Sequence, residues 1–293
     1  MKIKRFDYTP ILGWSASRYD VFSECKREYF YEYYGKYDPV HPRHTIDRLK
    51  NLTSVPLETG NIVHDVIKAL LQRLRKSEAE IDTERFREFV RRETEEQCRA
   101  KTFFEVYYRE ADSIGSRDLL PKIEGCLDSF LSSLRYEWIR RDAIATKDEW
   151  LIEPPGYGET RIDGLKVYCK VDFLFPAENG VVIVDWKTGK PDDGKHTKQM
   201  MGYKAWAAYH LDCCADDVTS IVAYLQPDYR EVEIPSVDAD LAAFRERIEK
   251  ETGEMYAFCR DIEENIPLNK DLFPMTGNAR VCRLCNYREL CQR

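Results

Sequence analysis

The sequence lacks any long hydrophobic run. No stretch approaches the roughly 18 uninterrupted apolar residues that a membrane-spanning helix needs. The N-terminal segment MKIKRFDYTP has no apolar core of the kind found in a signal peptide. The sequence therefore predicts a cytoplasmic protein that has no membrane partner.

The chain also lacks an excess of positive charge. Its 52 acidic residues outnumber its 45 lysines and arginines, which gives a formal net charge of −7. Proteins that coat nucleic acid through bulk charge are usually basic overall, so that class is disfavoured. A nuclease is not excluded, because acidic residues that hold divalent metal lower the total while a local stripe of Lys and Arg contacts phosphates.

Internal repeats and low-complexity tracts are absent as well, which sets aside solenoids and repeat arrays. Hydrophobic residues make up 43% of the chain, and 18 Tyr, 13 Phe and 5 Trp provide large side chains for a folded core. This composition is typical of a folded protein and not of a disordered one. A chain of 293 residues holds either one large domain or two ordinary ones.

Helical patterns fill the first half of the chain. Residues 15–34 begin with serines suited to an N-cap and stop before Gly35, which suits a C-cap, so they predict one helix that bears Cys25. After a polar connection at 39–56, apolar residues recur at helical spacing through 59–76. That second helix would place His64 in its first turn.

The pattern changes in the second half of the chain. The block from 82 to 141 is charged and helical, without a strand signal. Three β-branched and aromatic runs then follow, the last two separated by the hairpin-like turn AENG: DEWLIEP, LKVYCKVDFLFP and VVIVDWKT. A helix at 194–211, two further strands, a helix at 238–261 and a loop-like tail from 267 complete the pattern, so the sequence predicts a mixed α/β fold.

Two carboxylates and a lysine stand out among the predicted strands. Asp172 lies within one strand, and Asp185 and Lys187 lie at the end of the next. Carboxylates that converge at a strand end suit Mg²⁺ or Mn²⁺, and Lys187 shares the face of Asp185 because strand side chains alternate. Such a site suits phosphodiester cleavage, in which metal and ammonium stabilise charge on the phosphate. A merely charged strand terminus is the alternative that spacing alone leaves open.

Four segments carry a resemblance to a known family: GNIVH at 60–64, KVDFLF at 170–175, VDWKTGK at 184–190 and QMMGY at 199–203. With them the sequence resembles PD-(D/E)XK nucleases of the RecB and AddB type, a group that includes the CRISPR-adaptation nucleases. The resemblance implies a restriction-endonuclease-like core, in which helices flank a mixed β-sheet.

The same resemblance assigns roles to single residues. It implies that His64, Asp172 and Asp185 are the ligands of Mg²⁺ or Mn²⁺ and that Lys187 is the catalytic lysine. It places Gln199 and Tyr203 in the substrate site, and residues four apart do lie on one helix face. The expected catalytic residues are therefore Asp172, Asp185, Lys187, Gln199 and Tyr203.

Ten cysteines are more than a cytosolic chain needs for structure, and a reducing compartment disfavours disulfides. Cys282, Cys285 and Cys291 form C-x₂-C-x₅-C, so that three thiolates can converge. Structural zinc usually draws on two short pairs, and no second pair occurs, so a distant cysteine must complete the set. Spacing alone does not choose between Cys25 and Cys259.

The family resemblance makes that choice. The iron–sulfur subset of these nucleases has one cysteine before the nuclease motifs and three after them, which implies that Cys25 joins Cys282, Cys285 and Cys291 around a [4Fe–4S] cluster. Zinc in the same four cysteines is the alternative. The aromatic run beside Cys25 is interpreted as core packing, with base stacking as the second interpretation.

The predicted organisation is a single nuclease domain over 1–293, with a helical insertion at 77–145. A cluster-binding segment at 267–293 closes on the helix at 15–35. The resemblance implies a metal-dependent DNA nuclease, an exonuclease acting on single strands or DNA ends in repair, recombination or CRISPR adaptation, with a helicase or a CRISPR integrase as partner. The alternative is a non-catalytic DNA-binding module with an iron–sulfur or zinc site.

Overall fold

The computed structural model describes residues 4, 6–153, 159–162, 164–178, 180–211, 213–235 and 238–293. In chain order its helices are α1 (Ala16–Glu24), α2 (Lys26–Tyr34), α3 (Arg43–Lys50), α4 (Val55–Lys76), α5 (Thr83–Ala100), α6 (Phe104–Tyr107), α7 (Ser116–Leu131), α8 (Leu134–Arg141), α9 (Asp193–Leu211), α10 (Asp238–Tyr256) and α11 (Ala279–Leu284). Within the described ranges, none of them combines the length and apolar character needed to cross a bilayer.

The strands are mostly short. In chain order they are β1 (Leu52–Thr53), β2 (Thr102–Phe103), β3 (Leu151–Ile152), β4 (Glu159–Ile162), β5 (Leu165–Tyr168), β6 (Phe173–Ala177), β7 (Gly180–Lys187), β8 (Val218–Tyr224), β9 (Arg230–Glu233), β10 (Cys259–Asp261) and β11 (Ile266–Pro267). Helices and a mixed sheet occur together, so the predicted mixed α/β class is confirmed.

The chain divides into two compact units. The first unit consists of residues 1–4, 53–158 and 169–241, and the second consists of 5–52, 159–168 and 242–293. The residues of the predicted helical insertion belong to the first unit. The predicted cluster-binding segment and the helix at 15–35 both belong to the second.

The first unit is built on a five-stranded sheet in the order β3-β6-β7-β8-β9. Strands β7 and β8 run parallel, and the other neighbours run antiparallel. The central strand β7 is buried from Val181 to Trp186, as its continuous apolar sequence predicts. The end of β7 is therefore the part of this strand where polar groups emerge from the core.

Helix α4 and the sheet share one hydrophobic core. Ile62, Val66 and Leu70 on one face of α4 join a cluster that includes Phe173 of β6 and Trp186 of β7. The Phe173 and Trp186 rings stack with their centroids 5.9 Å apart. This packing fixes α4 relative to the ends of β6 and β7.

An aromatic core holds the second unit. The buried side chains of α2 include Phe30 and Tyr31. Phe30 packs on Phe273 at 5.0 Å between centroids, and Tyr31 stacks on Tyr287 at 5.4 Å. The interpretation of the aromatic run as core packing is confirmed for its four buried members, listed as Tyr29, Phe30, Tyr31 and Tyr34.

The predicted single helix at 15–34 is wrong in one respect, because it is broken at Cys25. The Cys25 backbone is extended, with φ −154° and ψ 109°, and separates α1 from α2. Gly35 has right-handed φ −54° and continues into a short 3₁₀ turn, so it is not a left-handed C-cap. Lack of space is the physical reason for glycine at this position, because a Cβ on residue 35 would lie only 2.5 Å from Ile46 Cγ2.

The second helix begins earlier than its apolar pattern predicts. Ser54 caps α4 by accepting a hydrogen bond from the Leu57 amide at 3.4 Å, and Pro56 lies in the first turn, where its missing N–H costs nothing. His64 therefore lies in the third turn, not the first. The predicted connection at 39–56 is also not a simple loop, because it contains α3.

Four further features of the elements differ from prediction. The run LKVYCKVDFLFP is two strands, β5 and β6, which belong to different sheets, and Asp172 lies directly before β6, not within a strand. Helix α10 ends at Tyr256, and the helical block contains the short strand β2. The tail after 267 contains α11 as well as loops. The turn residue Asn179 lies outside the described residues.

Candidate active site

The candidate site lies in the first unit, where β7 ends. Strand register pairs Phe173 with Val184, so Asp172 lies next to Asp185 across the β6–β7 hairpin. Asp172 Oδ2 accepts a hydrogen bond from the Trp186 amide at 3.1 Å. The structure therefore brings the two predicted carboxylates together, each held by the end of a strand.

Lys187 lies two residues after Asp185 on β7, so the two side chains are on the same face of the strand. Its Nζ lies 2.6 Å from Asp185 Oδ2. The two groups form an ion pair, and the charge and hydrogen bond of Lys187 act to lower the pKa of Asp185. Asp185 is 1% exposed, so this ion pair is buried.

Helix α4 supplies His64. The ring Nδ1 lies 3.3 Å from Asp172 Oδ2. Near this point α4 lies against the end of β7, since a Cβ at Gly60 would be 3.4 Å from Thr188 Oγ1. The close approach of α4 at Gly60 therefore places the His64 imidazole beside the Asp172 carboxylate.

Helix α9 supplies Gln199 and Tyr203, which lie one turn apart. Gln199 Oε1 accepts a hydrogen bond from Lys187 Nζ at 2.8 Å. Its Nε2 donates to Tyr203 Oη at 2.6 Å and lies 3.4 Å from Asp185 Oδ1. Gln199 thus holds the lysine and the carboxylate in one arrangement, and Tyr203 holds Gln199.

Burial and charge shape the titration of this site. Burial acts to raise the pKa of Asp172, but the charge and hydrogen bond of His64, with the charge of Lys187 and the Trp186 amide, together leave it below its usual value. Burial and the charge of Asp172 raise the pKa of Asp185 to about 6. Burial acts to lower the pKa of His64, but the charge and hydrogen bond of Asp172 raise it to about 9. Burial raises the pKa of Tyr203 far above its usual value.

Each buried carboxylate lies beside a basic side chain. Asp172 pairs with His64 at 3.3 Å, and Asp185 pairs with Lys187 at 2.6 Å. Loss of one partner of such a buried pair would leave an uncompensated charge.

The donor set fits a divalent metal. One ligand atom each from His64, Glu153 and Asp172 lies within 4.8 Å of the other two. This group of three does not include Asp185, whose backbone lies next to that of Asp172 across the β6–β7 pair. Carboxylate oxygens with one imidazole suit Mn²⁺ and, with fewer protein ligands, Mg²⁺.

Glu153 is the residue that the sequence analysis missed. It follows β3 and has a positive φ of 38°, which is unusual for a residue other than glycine. Its amide donates to the Asp172 carbonyl at 3.0 Å, and its carboxylate lies 2.6 Å from Lys68 Nζ and 3.6 Å from Lys170 Nζ. The available signal in the sequence is a Glu at the end of the strand pattern DEWLIEP.

The four predicted cysteines lie in the second unit and line one cavity. The lining of this cavity includes Cys25, Cys282, Cys285 and Cys291. Cys259 is described but is not among the lining residues, and its Sγ lies 3.6 Å from Tyr34 Oη. The structure therefore brings together the set that includes Cys25.

The tail around these cysteines is fixed to α2. Arg27 donates from its amide to the Pro274 carbonyl at 3.1 Å and from Nε to the Phe273 carbonyl at 2.9 Å. Tyr287 Oη donates to Glu32 Oε2 at 2.6 Å. These bonds hold three cysteines of the tail beside the break between α1 and α2.

Two of the four thiols in this cavity have a raised pKa. Burial and then the charge of Glu28 raise the pKa of Cys285, while the Tyr287 amide donates to its Sγ at 3.4 Å. Burial raises the pKa of Cys291, against the nearby charge of Arg27. Such thiols stay protonated until a metal displaces the proton, so they are inert as nucleophiles.

Comparison with known proteins identifies the family. A sequence model described as the PD-(D/E)XK nuclease superfamily matches residues 13–292. No curated protein sequence matches the chain with significance. One similar solved structure is described as the crystal structure of SSO0001, with 17% identity and a TM-score of 0.30 over 64% of this chain and 78% of that one. On the family match, which covers almost the whole chain, the protein belongs to the PD-(D/E)XK nuclease superfamily.

Proposed function

We propose that this chain is a RecB- or AddB-type DNA nuclease that hydrolyses phosphodiester bonds as an exonuclease on single strands or DNA ends. The observation that carries the proposal is the convergence of His64, Asp172, Asp185 and Lys187 at the end of β7. DNA ends are substrates in repair, recombination and CRISPR adaptation, and a helicase or a CRISPR integrase that handles such ends is the fitting partner.

Each residue has a distinct task in this proposal. His64, Asp172 and Asp185 hold the Mg²⁺ or Mn²⁺, and Glu153 lies where it can add a carboxylate oxygen. When bound, the cation supplies Lewis-acid stabilisation of the charge that develops on the phosphate. The Lys187 ammonium orients the attacking water and stabilises the same charge.

Gln199 and Tyr203 act through Lys187 in this scheme. Because Gln199 Oε1 accepts from Lys187 Nζ, it restricts the ammonium to one direction. Tyr203 is buried, and its hydroxyl fixes the Gln199 amide. We assign the pair as positioning residues for the lysine.

The cysteine cavity is proposed to hold a [4Fe–4S] cluster with a mainly structural role. Four thiolates are the usual ligand set of such a cluster, and four cysteines line this cavity. Ligation would join the break at Cys25 to the tail of the same unit. Zinc in the same cysteines is the alternative that metal analysis distinguishes.

The titration of His64 gives a testable prediction. Because its pKa is about 9 without metal, the imidazole is protonated at neutral pH, and coordination requires the neutral ring. We expect Mn²⁺ binding at about pH 7 to release about one proton in the wild-type protein and almost none in His64→Gln. Calorimetric titration in buffers of different ionisation enthalpy measures this number.

The control for that titration is His44→Gln, which alters an exposed histidine in the second unit. It should leave proton release unchanged. Equal proton release by the wild-type protein and His64→Gln would exclude His64 as a ligand.

The exonuclease proposal is tested with linear and circular single strands of the same sequence. An exonuclease degrades the linear strand in the presence of Mn²⁺ and leaves the circle intact. Cleavage of the circle at an equal rate would show an endonuclease instead. Binding of both strands with no cleavage of either would favour the non-catalytic DNA-binding module.

A further inference from the structure

A third carboxylate at the candidate active site faces two lysines. The Oε2 of Glu153 lies 2.6 Å from Lys68 Nζ, and its Oε1 lies 3.6 Å from Lys170 Nζ. All three residues belong to the first unit. Each oxygen of this carboxylate therefore lies beside an ammonium group.

The same carboxylate belongs to the donor group that fits a divalent metal. One oxygen of Glu153 lies within 4.8 Å of a ligand atom of His64 and one of Asp172. The Glu153 amide donates to the Asp172 carbonyl at 3.0 Å, which fixes its backbone beside these proposed ligands. Glu153 thus has two uses, as the partner of lysines and as a donor to a cation.

Helix α4 presents Lys68 to this site. Lys68 follows His64 by four residues, so the two side chains lie on one face of the helix. The Lys68 side chain is 33% exposed, whereas that of Glu153 is 8% exposed. The Lys68 ammonium is therefore close to the proposed metal ligands and also open to a substrate.

Coulomb forces oppose the two uses of Glu153. A divalent cation at the donor group attracts the Glu153 carboxylate and repels the Lys68 ammonium, and burial of the carboxylate strengthens both effects. The ammonium then loses part of its charge compensation. A phosphate group is a suitable replacement, because lysine binds phosphate as a compact point charge.

We propose that Glu153 exchanges between Lys68 and the divalent cation, so that metal binding releases the Lys68 ammonium to contact a phosphate of the DNA strand. The proposal rests on the nuclease function proposed above and adds a coupling between its metal and its substrate. By thermodynamic linkage the coupling is reciprocal, so DNA tightens metal binding by the same factor as metal tightens DNA binding.

Asp65 is a matched carboxylate for a control. Burial and then the charge of Glu153 raise the pKa of Asp65, against the charges of Lys68 and Lys170, so Asp65 shares their electrostatic environment. Within the part of the chain that the structure describes, the donor group contains Glu153 and not Asp65. A coupling that acts through Glu153 therefore survives the loss of Asp65, whereas a general effect of negative charge is reduced by it.

The first test is an anisotropy titration of a labelled oligothymidine with and without Ca²⁺, which replaces Mn²⁺ so that cleavage does not deplete the strand. We expect Ca²⁺ to lower the wild-type Kd about tenfold. Lys68→Gln should reduce this factor to about twofold through weaker binding in Ca²⁺. Glu153→Gln should reduce it as well, but through tighter binding without Ca²⁺, because Lys68 is then already released.

Three variants serve as controls. Lys76→Gln removes an exposed lysine of the same helix, and Asp65→Asn removes the neighbouring carboxylate. Both should keep the wild-type Ca²⁺ factor. Lys68→Arg retains the positive charge and should restore most of the factor that Lys68→Gln loses. Circular dichroism shows whether each variant is folded.

The second test measures Mn²⁺ binding by calorimetry without DNA. Lys68→Gln should raise the Mn²⁺ affinity about fivefold, because Glu153 no longer has to leave that ammonium. Glu153→Gln should lower the affinity, and the combined variant should show no gain. A purely structural role of Lys68 predicts no gain in metal affinity.

An equal Ca²⁺ factor in the wild-type protein, Lys68→Gln and Glu153→Gln would overturn the exchange. An unchanged Mn²⁺ affinity in folded Lys68→Gln would overturn it as well. If Lys68→Gln does not fold, Glu153→Gln decides alone, since the exchange requires that this variant bind DNA more tightly than the wild-type protein without Ca²⁺.

The outcomes for the exchange and for the nuclease are separable. A wild-type protein that cleaves DNA, with the same Ca²⁺ factor in both variants, refutes only the exchange. A wild-type protein that never cleaves, but whose Ca²⁺ factor depends on Lys68 and Glu153, refutes the nuclease function and retains the exchange.

Discussion

Replacing Lys187 with alanine is expected to slow strand cleavage by about 10²- to 10³-fold while leaving metal and DNA affinity nearly unchanged. The ammonium lies 2.6 Å from Asp185 Oδ2 and donates to Gln199, so it is positioned to act on the reacting phosphate and not to hold metal. Single-turnover cleavage of a labelled single strand, with calorimetric Mn²⁺ binding alongside, measures both effects. Measurement at about pH 8 keeps Asp185 ionised, since its pKa is about 6.

We expect Asp185→Ala to have a different effect from Lys187→Ala, although the two residues are only two positions apart. It removes a proposed metal ligand, so metal affinity and cleavage should fall together, cleavage by at least about 10³-fold. The controls are Lys101→Ala and Asp216→Ala, which remove an exposed lysine and an exposed carboxylate of the same unit. Parallel loss of metal affinity in Lys187→Ala and Asp185→Ala would refute the separate roles.

For the proposed [4Fe–4S] cluster, we expect Cys285→Ser to lower the iron content from about four atoms per chain to fewer than about one and to remove the visible absorption. Cys285 is buried, and its Sγ accepts a hydrogen bond from the Tyr287 amide. Replacing this thiol therefore also weakens the packing of the tail. Because metal binding and folding are coupled, the melting temperature should fall as well. Iron analysis and thermal unfolding of anaerobically purified protein measure these changes.

Cys259→Ser is the matched control for that experiment. Cys259 belongs to the same unit but does not line the cysteine cavity, and serine preserves a polar contact to Tyr34. It should retain iron and stability. Loss of iron in Cys259→Ser but not in Cys25→Ser would show that Cys259, and not Cys25, is the fourth ligand. Equimolar zinc without iron in the wild-type protein would show a zinc site in place of the cluster.

Local periodicity explains why part of the site is predictable from sequence. Asp185 and Lys187 share a face because a strand alternates, and Gln199 and Tyr203 share a face because a helix repeats every 3.6 residues. In the structure all four side chains meet. Neither argument needs information from distant parts of the chain.

Other features depend on tertiary contacts and could not be read from local patterns. Cys25 breaks a helix whose apolar and aromatic residues show no interruption, and its extended backbone is set by the surrounding packing. Glu153 reaches His64 and Asp172 only because β3 pairs with β6 and its own φ is positive. The early start of α4 at Val55 was hidden because its capping residues precede the apolar repeat.

The most direct test of the central claim is single-turnover cleavage of a labelled single strand by the wild-type protein and by the double variant Asp172→Asn, Asp185→Asn. Asparagine keeps the shape of each side chain, removes its charge and keeps one acceptor oxygen, so the variant should remain folded by circular dichroism. The account predicts cleavage by the wild-type protein with Mn²⁺, none with a chelator, and a loss of at least about 10³-fold in the double variant. Cleavage by the folded double variant at the wild-type rate, or wild-type cleavage in the chelator, would contradict it.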